Sequence, residues 1–432
     1  MAPIIRPVQT SSDLPDQSTV VILGGGIIGL TAALNLAERG IPVTVLEKGR
    51  IGAEQSSRNL GWVRKLNRAP EDVALSLASD ALWAQMPQRT GFDVGYRQAG
   101  IMYAARTEAE MEPHRSWLEA VSDLSLDSRL VTPREIDELV PGTAETWVGG
   151  IYTPSDGYAE PTLASSAIAT AAQQKGAVIV ENCAAFSLAL SGGRVTGVHT
   201  ERGEIKCEQV LLAGGLWSRR FLGNLGLSLP TLPMVASVIR TAPMEGPTDI
   251  AFGASDFSFR KRQDGGFTVT QRGALSHPLT TDNLRIGLKY LPTLRNNWKY
   301  LRLSLGRELL GDIGTKRRWK DTGPSPFEQV RTKDPQVDPG LIAEAMDNLV
   351  KAFPVFKNAK ISETWAGMID ITPDSLPVIS GVDRIPGLTL ATGFSGHGFG
   401  TSPAAGQLAA DLVAGTTPIV DPDPYRFDRL SK

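Results

Sequence analysis

The run Val20-Val21-Ile22-Leu23-Gly24-Gly25-Gly26-Ile27-Ile28-Gly29-Leu30 limits what this chain can fold into more than any other stretch. Apolar residues running into a glycine turn read as a buried strand, and the helical spacing of apolar residues from Thr31 to Arg39 reads as a helix. Gly24 permits the tight turn, Gly26 lets the backbone approach a pyrophosphate, and Gly29 lets the helix lie close against the strand. The helix then offers its free N–H groups, those of Ile27 and Ile28 among them, to phosphate oxygens. Gly40 ends the helix, Pro42 to Leu46 forms the next strand, and Glu47 followed by Lys48 stands at its end. An acidic side chain about 20 residues beyond the glycines accepts hydrogen bonds from an adenosine ribose and repels a 2′-phosphate. Together these features predict a dinucleotide-binding α/β unit of Rossmann type.

The length of 432 residues exceeds one ordinary core and suggests more than one domain. With 44 basic against 46 acidic side chains the net charge is −2, so bulk charge gives no reason to expect a nucleic-acid partner. The only cysteines are Cys183 and Cys207, too few for a disulfide framework, which fits a reducing compartment. The four histidines, His114, His199, His277 and His397, lie too far apart for a metal-binding spacing, so no metal site is expected. The residues Met1 to Ser18 lack the apolar run of a secretory signal, and no stretch holds about 18 consecutive apolar residues. The expectation is a cytoplasmic chain with no transmembrane segment.

After Glu47 comes a polar, glycine-punctuated loop, Ile51 to Trp62, at the sheet edge where ligands bind. Ser56, Ser57, Arg58, Asn59 and Gly61 are its candidate contacts. Residues 74–86 predict an amphipathic helix, 108–121 a charged one, and Thr132 caps a short one. Ile151 to Pro161 reads as a turn-rich loop before a small-residue helix over 162–174, and Val178 to Val180 returns the chain to the first sheet. A strand over 208–213 stops at Ala213-Gly214-Gly215, with Trp217 just beyond, where backbone comes close to a ligand. From about 232 to 273 separated β-like runs, among them the alternating Gly266 to Arg272, predict an antiparallel substrate domain.

Residues 285–320 carry Arg285, Lys289, Arg295, Lys299, Arg302, Arg307, Lys316, Arg317, Arg318 and Lys320 against Glu308 and Asp312. Leucines near helical spacing, interrupted by Pro292, suggest a pair of helices whose basic face is either solvated or set against a membrane surface or partner. Last, Leu388 to Thr392 is a strand into Gly393-Phe394-Ser395-Gly396-His397-Gly398-Phe399-Gly400-Thr401, followed by an alanine-rich helix over 402–413. A helix N-terminus there favours negative charge on a ring system placed before it.

These pieces, in this order, resemble the glutathione-reductase-type flavoproteins of the D-amino-acid oxidase and sarcosine oxidase family. The resemblance runs through Gly24 to Glu47, Ser56 to Arg64, Asp156 to Pro161, Leu211 to Trp217, Trp365 to Pro377 and Gly393 to Gly406, with Gly393 to Phe399 its most specific part. It implies one FAD and a smaller sheet domain over the reactive flavin face. It also implies oxidation of a carbon–nitrogen bond in an amino acid or secondary amine by hydride transfer to flavin N5, giving an imine that water hydrolyses. The cofactor residues it implies are Gly24, Gly26, Ile27, Ile28, Gly29, Glu47, Lys48, Ser56, Ser57, Arg58, Asn59, Gly61, Ala213, Gly214, Trp217, Gly396, His397, Gly398, Phe399, Gly400 and Thr401. Arg64 matches the arginine that pairs with the substrate carboxylate, and Arg272 is a second candidate. No catalytic acid or base is assigned.

Two positions depart from the family. Gly367 stands where covalent sarcosine oxidases carry the tethering cysteine, so noncovalent FAD is expected. Gly400 stands where those oxidases place a carboxylate-binding lysine. The electron acceptor, oxygen or a quinone or partner protein, stays open, as do oxidation of a 2-hydroxy acid or polyol and a flavin subunit that needs a partner. The expected organisation is a tail over 1–17, a discontinuous FAD-binding domain over 18–85, 150–230 and 360–425, and a substrate domain over 86–149 and 231–359. The basic 285–320 region suggests peripheral contact with the inner face of a membrane.

Overall fold

The computed structural model describes residues 3, 5–291, 295, 301–304, 306–320 and 324–431. Val20–Leu23 lies inside a six-stranded sheet ordered Val378–Gly381, Leu388–Thr392, Gln209–Leu212, Val20–Leu23, Val43–Leu46 and Val178–Val180. All neighbours pair in parallel except the edge strand Val378–Gly381. A parallel sheet needs cover on both faces, and the alternation of this strand supplies it. Val20 and Ile22 pack under the helices Ile27–Glu38, Pro161–Gln174 and Gly398–Ala414. Val21 and Leu23 pack under a three-stranded sheet formed by Ala185–Ser191, Arg194–Thr200 and Gly203–Lys206.

Small residues set how near these layers approach. A Cβ at Gly29 would lie 2.1 Å from the Gly24 carbonyl oxygen, and one at Gly406 would lie 2.1 Å from Thr31 Oγ1. Thr31 also donates to the Ser402 carbonyl, at 3.0 Å, fixing the first helix against the last.

Among the described residues the second sheet has ten strands. Ile361–Ile371 pairs antiparallel with Leu232–Thr241 along almost its whole length, and Phe267–Gln271, Phe257–Lys261, Ala251–Gly253, Ile101–Ala105, Gly149–Thr153 and Arg129–Val131 follow in that order. Period-two alternation separates its faces. Met102, Ile239, Phe257, Phe259, Phe267 and Val269 pack against the helix Pro339–Ala352 and against Phe353 and Phe356. Tyr103, Ala236, Val238, Ser258 and Thr270, which alternate with them, face a cavity between the two sheets. Ala236, Ser258 and Thr270 on this face are small, which leaves room for the cavity beside Tyr103 and Val238.

Several expectations are corrected. Residues 151–161 are not loop throughout, because Gly149–Thr153 and Gly157–Tyr158 are strands on either side of a turn at Pro154 and Ser155. Their partners Ile101–Ala105 and Trp62–Val63 are remote in sequence, so local turn residues misled. The polar stretch 51–62 contains a helical turn, Gln55–Arg58, and the last helix starts four residues early, at Gly398. Leu301–Ser304 is a strand beside Leu275–Pro278 rather than helix, with short helices Thr281–Ile286 and Arg307–Gly314 on either side. Pro292 and Lys299 lie outside the described residues. Gly149–Thr153 and Ile361–Ile371 both belong to the ten-stranded sheet, and the helix Pro70–Thr90 continues past residue 85.

Candidate active site

The glycine turn and the ten-stranded sheet enclose one continuous cavity of about 430 Å³, within the range usual for small-molecule sites. At one end is the start of helix Ile27–Glu38. Its N-cap Gly26 supplies no side-chain cap, and a Cβ at Gly24 would fall 2.4 Å from the Ala213 carbonyl oxygen. Gly24 has φ +116°, a conformation that only glycine adopts readily. Glu47 closes this end, with Oε2 accepting from Gly25 N–H at 2.9 Å and Oε1 from Gly49 N–H at 2.7 Å. Burial raises its pKa, opposed by Lys48 and by those two N–H groups.

Helix Gly398–Ala414 opens on the same cavity, and its N-cap His397 again makes no side-chain cap. Ser56 Oγ accepts from the Ile27 N–H at 2.9 Å, while the first turn of Gly398–Ala414 has no side-chain cap, and first-turn N–H groups of both helices lie at one cavity. Phosphate or carboxamide-like oxygens suit such groups, so the residues present fit an extended dinucleotide carrying a polar ring system. Burial and the charges of Arg68 and Arg64 hold His397 well below the usual histidine range, so it stays neutral.

Most of the residues expected at the cofactor line this cavity: Gly24, Gly26, Ile27, Ile28, Glu47, Lys48, Ser56, Arg58, Asn59, Gly61, Ala213, Gly214, Trp217 and Gly396 to Gly400. Gly29, Ser57 and Thr401 are not on the wall. Gly29 provides the close approach to Gly24, while the Ser57 and Thr401 hydroxyls turn back to the carbonyls of Glu54 and His397. Some wall residues spend their polar heads inside the protein. Lys48 Nζ donates to the carbonyls of Val330 and Arg331 and lies 4.2 Å from the Trp217 ring centroid. Arg58 pairs with Asp334 at 2.7 Å and donates to the Ala366 carbonyl. Asn59 accepts from Gly61 N–H, at 2.8 Å, and shapes the turn.

Arg64 and Arg272 both reach the cavity at its other end. Asp156 positions the first, its carboxylate accepting from the backbone N–H groups of Lys65 and Leu66 at 2.8 and 3.2 Å. Lys65 turns inward to Asp80 and Asp156, at 2.6 and 3.2 Å, which leaves its neighbour Arg64 facing the cavity. Arg64 and Arg272 share Tyr103, with Cζ 5.9 and 4.1 Å from its ring centroid.

Sequence reasoning missed Arg68, Tyr103, Ser258, Thr270, Gln271 and Asp370, all on the cavity wall. Arg68 precedes a helix and had no motif, though its spacing of four from Arg64 was visible. Trp62 Nε1, Arg68 Nη1 and Gln271 Oε1, on residues of the cavity wall, are buried without hydrogen-bond partners among the described residues. The family's lysine position has a steric answer: a Cβ at Gly400 would lie 2.7 Å from the Trp62 carbonyl oxygen, and Trp83 Nε1 donates to the Gly400 carbonyl at 2.8 Å.

Such a fold and cavity define a dinucleotide-dependent redox protein with a small-molecule site over its second sheet. The chain belongs to the FAD dependent oxidoreductase (DAO) family, which it matches over residues 19–412. It is 28% identical over 415 residues to glycine oxidase of Pseudomonas aeruginosa, covering 94% of this chain and 97% of that one. With sarcosine oxidase subunit beta of Arthrobacter sp it shares 26% over 419 residues, 95% of this chain and 90% of the relative. The solved L-amino acid deaminase from Proteus myxofaciens, in complex with anthranilate, superposes with a TM-score of 0.95 at 31% identity, covering 100% of this chain and 97% of that one.

Proposed function

We propose that this FAD-dependent oxidoreductase oxidises the carbon–nitrogen bond of an amino acid or secondary amine, giving an imine that water hydrolyses. One observation carries the reading: the starts of two long helices and a set of arginines open on the same cavity, with Arg64 beside the second of those helix starts. The start of Ile27–Glu38 would hold the pyrophosphate, Glu47 the adenosine ribose, and the start of Gly398–Ala414 the polar edge of the ring. When bound, the flavin supplies the two-electron acceptor for the hydride that leaves the carbon beside nitrogen.

The chain's own contribution is binding and charge. Arg64 and Arg272 are the cations offered to substrate carboxylate, and Tyr103, Ala236, Val238 and Met368 shut water from the reacting carbon. Positive charge nearby also disfavours the ammonium form of the substrate. A neutral amine then needs no protein base.

Gly367 faces the cavity with no sulfur to offer, which supports noncovalent FAD. The acceptor we assign as oxygen, a quinone or a partner protein. No helix among the described residues is long and apolar enough to cross a membrane. Peripheral contact is supported by Leu284, Leu288 and Leu310, which are 91, 80 and 71% exposed within the basic region. Two buried free cysteines suit a reducing compartment such as the cytoplasm.

The test is anaerobic bleaching of the reconstituted flavin spectrum against D- and L-amino acids, N-methyl amino acids and 2-hydroxy acids. Bleaching by amino acids or their N-methyl derivatives, with 2-hydroxy acids inert, is expected. A chain that stays colourless after reconstitution overturns the proposal.

A further inference from the structure

Arg64, Arg68 and Arg272 line one end of the cavity, and none of them enters an ion pair among the described residues. They arrive from separate places: Arg64 just after the strand Trp62–Val63, Arg68 just before the helix Pro70–Thr90, and Arg272 just after Phe267–Gln271. Arg64 is the common neighbour. It shares the Tyr103 ring with Arg272, and its carbonyl accepts from Arg68 Nε at 3.4 Å.

Arg68 is only 3% exposed, and its Nη1 is buried with nothing to bond. Burial and the charge of Arg64, against a weaker pull from Asp72, push its pKa down to about 9, so it remains a cation at neutral pH. The nearby carboxyl of Asp72 forms no ion pair with it, carries an unpartnered Oδ1, and is itself raised by burial. His397 adds no negative charge. An α-carboxylate brings one negative charge to three confined guanidiniums, and the buried Asp72 and Asp156 act on Arg68 from nearby without closing an ion pair with it.

We propose that the preferred substrate carries two carboxylates, as a dicarboxylic amino acid or an N-carboxyalkyl amine, one held at Arg272 and the other at the Arg64–Arg68 end. This rests on the amine-oxidising reading above and narrows its substrate class. Ser258 and Thr270 on the sheet face between leave the middle of the site small and polar enough for a short linker.

The experiment uses the FAD-bound protein and unreactive ligands, with calorimetry and the shift of flavin absorbance as readouts. Succinate and glutarate are expected to bind at least tenfold more tightly than propionate and butyrate. Arg68→Gln and, independently, Arg272→Gln should shrink that ratio to threefold or less. Equal affinities in the parent protein, or a ratio that survives in both variants, overturn the inference. If neutral amino acids still bleach the flavin in that case, the amine-oxidising reading stands and only the substrate class falls. A chain that binds no flavin removes both.

Discussion

Arg260 and Glu160 close a two-pronged ion pair, at 2.7 and 3.1 Å, with both side chains out of reach of solvent. Arg260 belongs to a strand of the larger sheet and Glu160 stands at the N-cap position of Pro161–Gln174, which packs on the smaller one, so the pair ties the two sheet layers together. Removing one partner strands the other charge in a dry interior. Glu160→Gln should therefore lower unfolding stability by about 3–5 kcal/mol in chemical denaturation, and replacing both residues with apolar ones should recover much of that. Burial raises the Glu160 pKa, but Arg260 and Arg262 outweigh it and hold the carboxyl below its ordinary range. The stabilisation is thus complete above the unfolded value and lost as pH falls through the lower folded one.

Asp370 works in the opposite sense. Its carboxyl, on the cavity wall, accepts from Gly393 N–H at 3.0 Å and is pushed up to about 6 by burial, against hydrogen bonds including one from Gln55. Between the unfolded value and about pH 6 the folded chain binds more protons, so stability falls as pH rises through that window. Asp370→Asn should flatten that part of the stability curve, a difference of up to about 3 kcal/mol. Parallel unfolding titrations at pH 4 and pH 7 on both proteins would read it, and an unchanged difference between them would remove the assignment.

Gly29 lies where the first helix meets the glycine turn, and a Cβ there would meet the Gly24 carbonyl oxygen at 2.1 Å. Backbone cannot rotate aside as a side chain does. Gly29→Ala should push the helix start away from the turn, costing about 1–3 kcal/mol and weakening FAD retention by about tenfold or more. Gly40→Ala is a control for altered glycine content, since nothing lies within 4 Å of its added Cβ. Its cost should be confined to the strain of φ +71°.

Elements built from local signals were legible in the sequence, and elements built from distant partners were not. Val20–Leu23 and Ile27–Glu38 announce themselves through an apolar run, glycines and helical period, and Thr132 through its capping box with Glu135. Ile151 to Thr153 reads as part of a loop because its strand character comes from Ile101–Ala105 and Arg129–Val131, which no local pattern reveals. The arginine site shows the same split. Arg64 could be reached from the motif after Ser56, but Arg68 gains its place only when the sheet carrying Tyr103 and Arg272 folds over it. Polar strand residues such as Ser258 and Thr270 read simply as the hydrophilic half of an alternation until the opposite wall is present.

Gly367 gives a prediction about cofactor attachment. It lies in the strand Ile361–Ile371 on the cavity wall, and the nearest atom to an added Cβ is Arg58 Cβ, at 3.2 Å. Neither Cys183 nor Cys207 lines the cavity. Acid precipitation of the yellow protein should therefore release all the flavin into the supernatant, and colour that stays with the pellet would contradict noncovalent binding.

The segment between Thr281 and Thr315 poses a different question, because it exposes what a globular surface usually hides. Leu284, Leu288, Leu291, Leu303, Leu310 and Ile313 are 56 to 91% exposed, a density of apolar side chains that marks an interaction surface. Part of the surrounding charge is already matched: Arg302 pairs with Glu344 at 2.7 Å, and Arg317 pairs with Asp282 and Asp312 at 2.6 and 3.1 Å. The proposed contact with a membrane surface would then be chiefly apolar, with electrostatics secondary. Full burial of each leucine contributes about 1.5–3 kcal/mol. Leu284→Ser, Leu288→Ser and Leu310→Ser together should cut binding to anionic vesicles by about tenfold or more, while raised salt should weaken the parent protein's binding only modestly. Co-sedimentation with vesicles, with and without the anionic lipid, reads both effects. Equal sedimentation of parent and triple variant would show that these leucines do not face lipid.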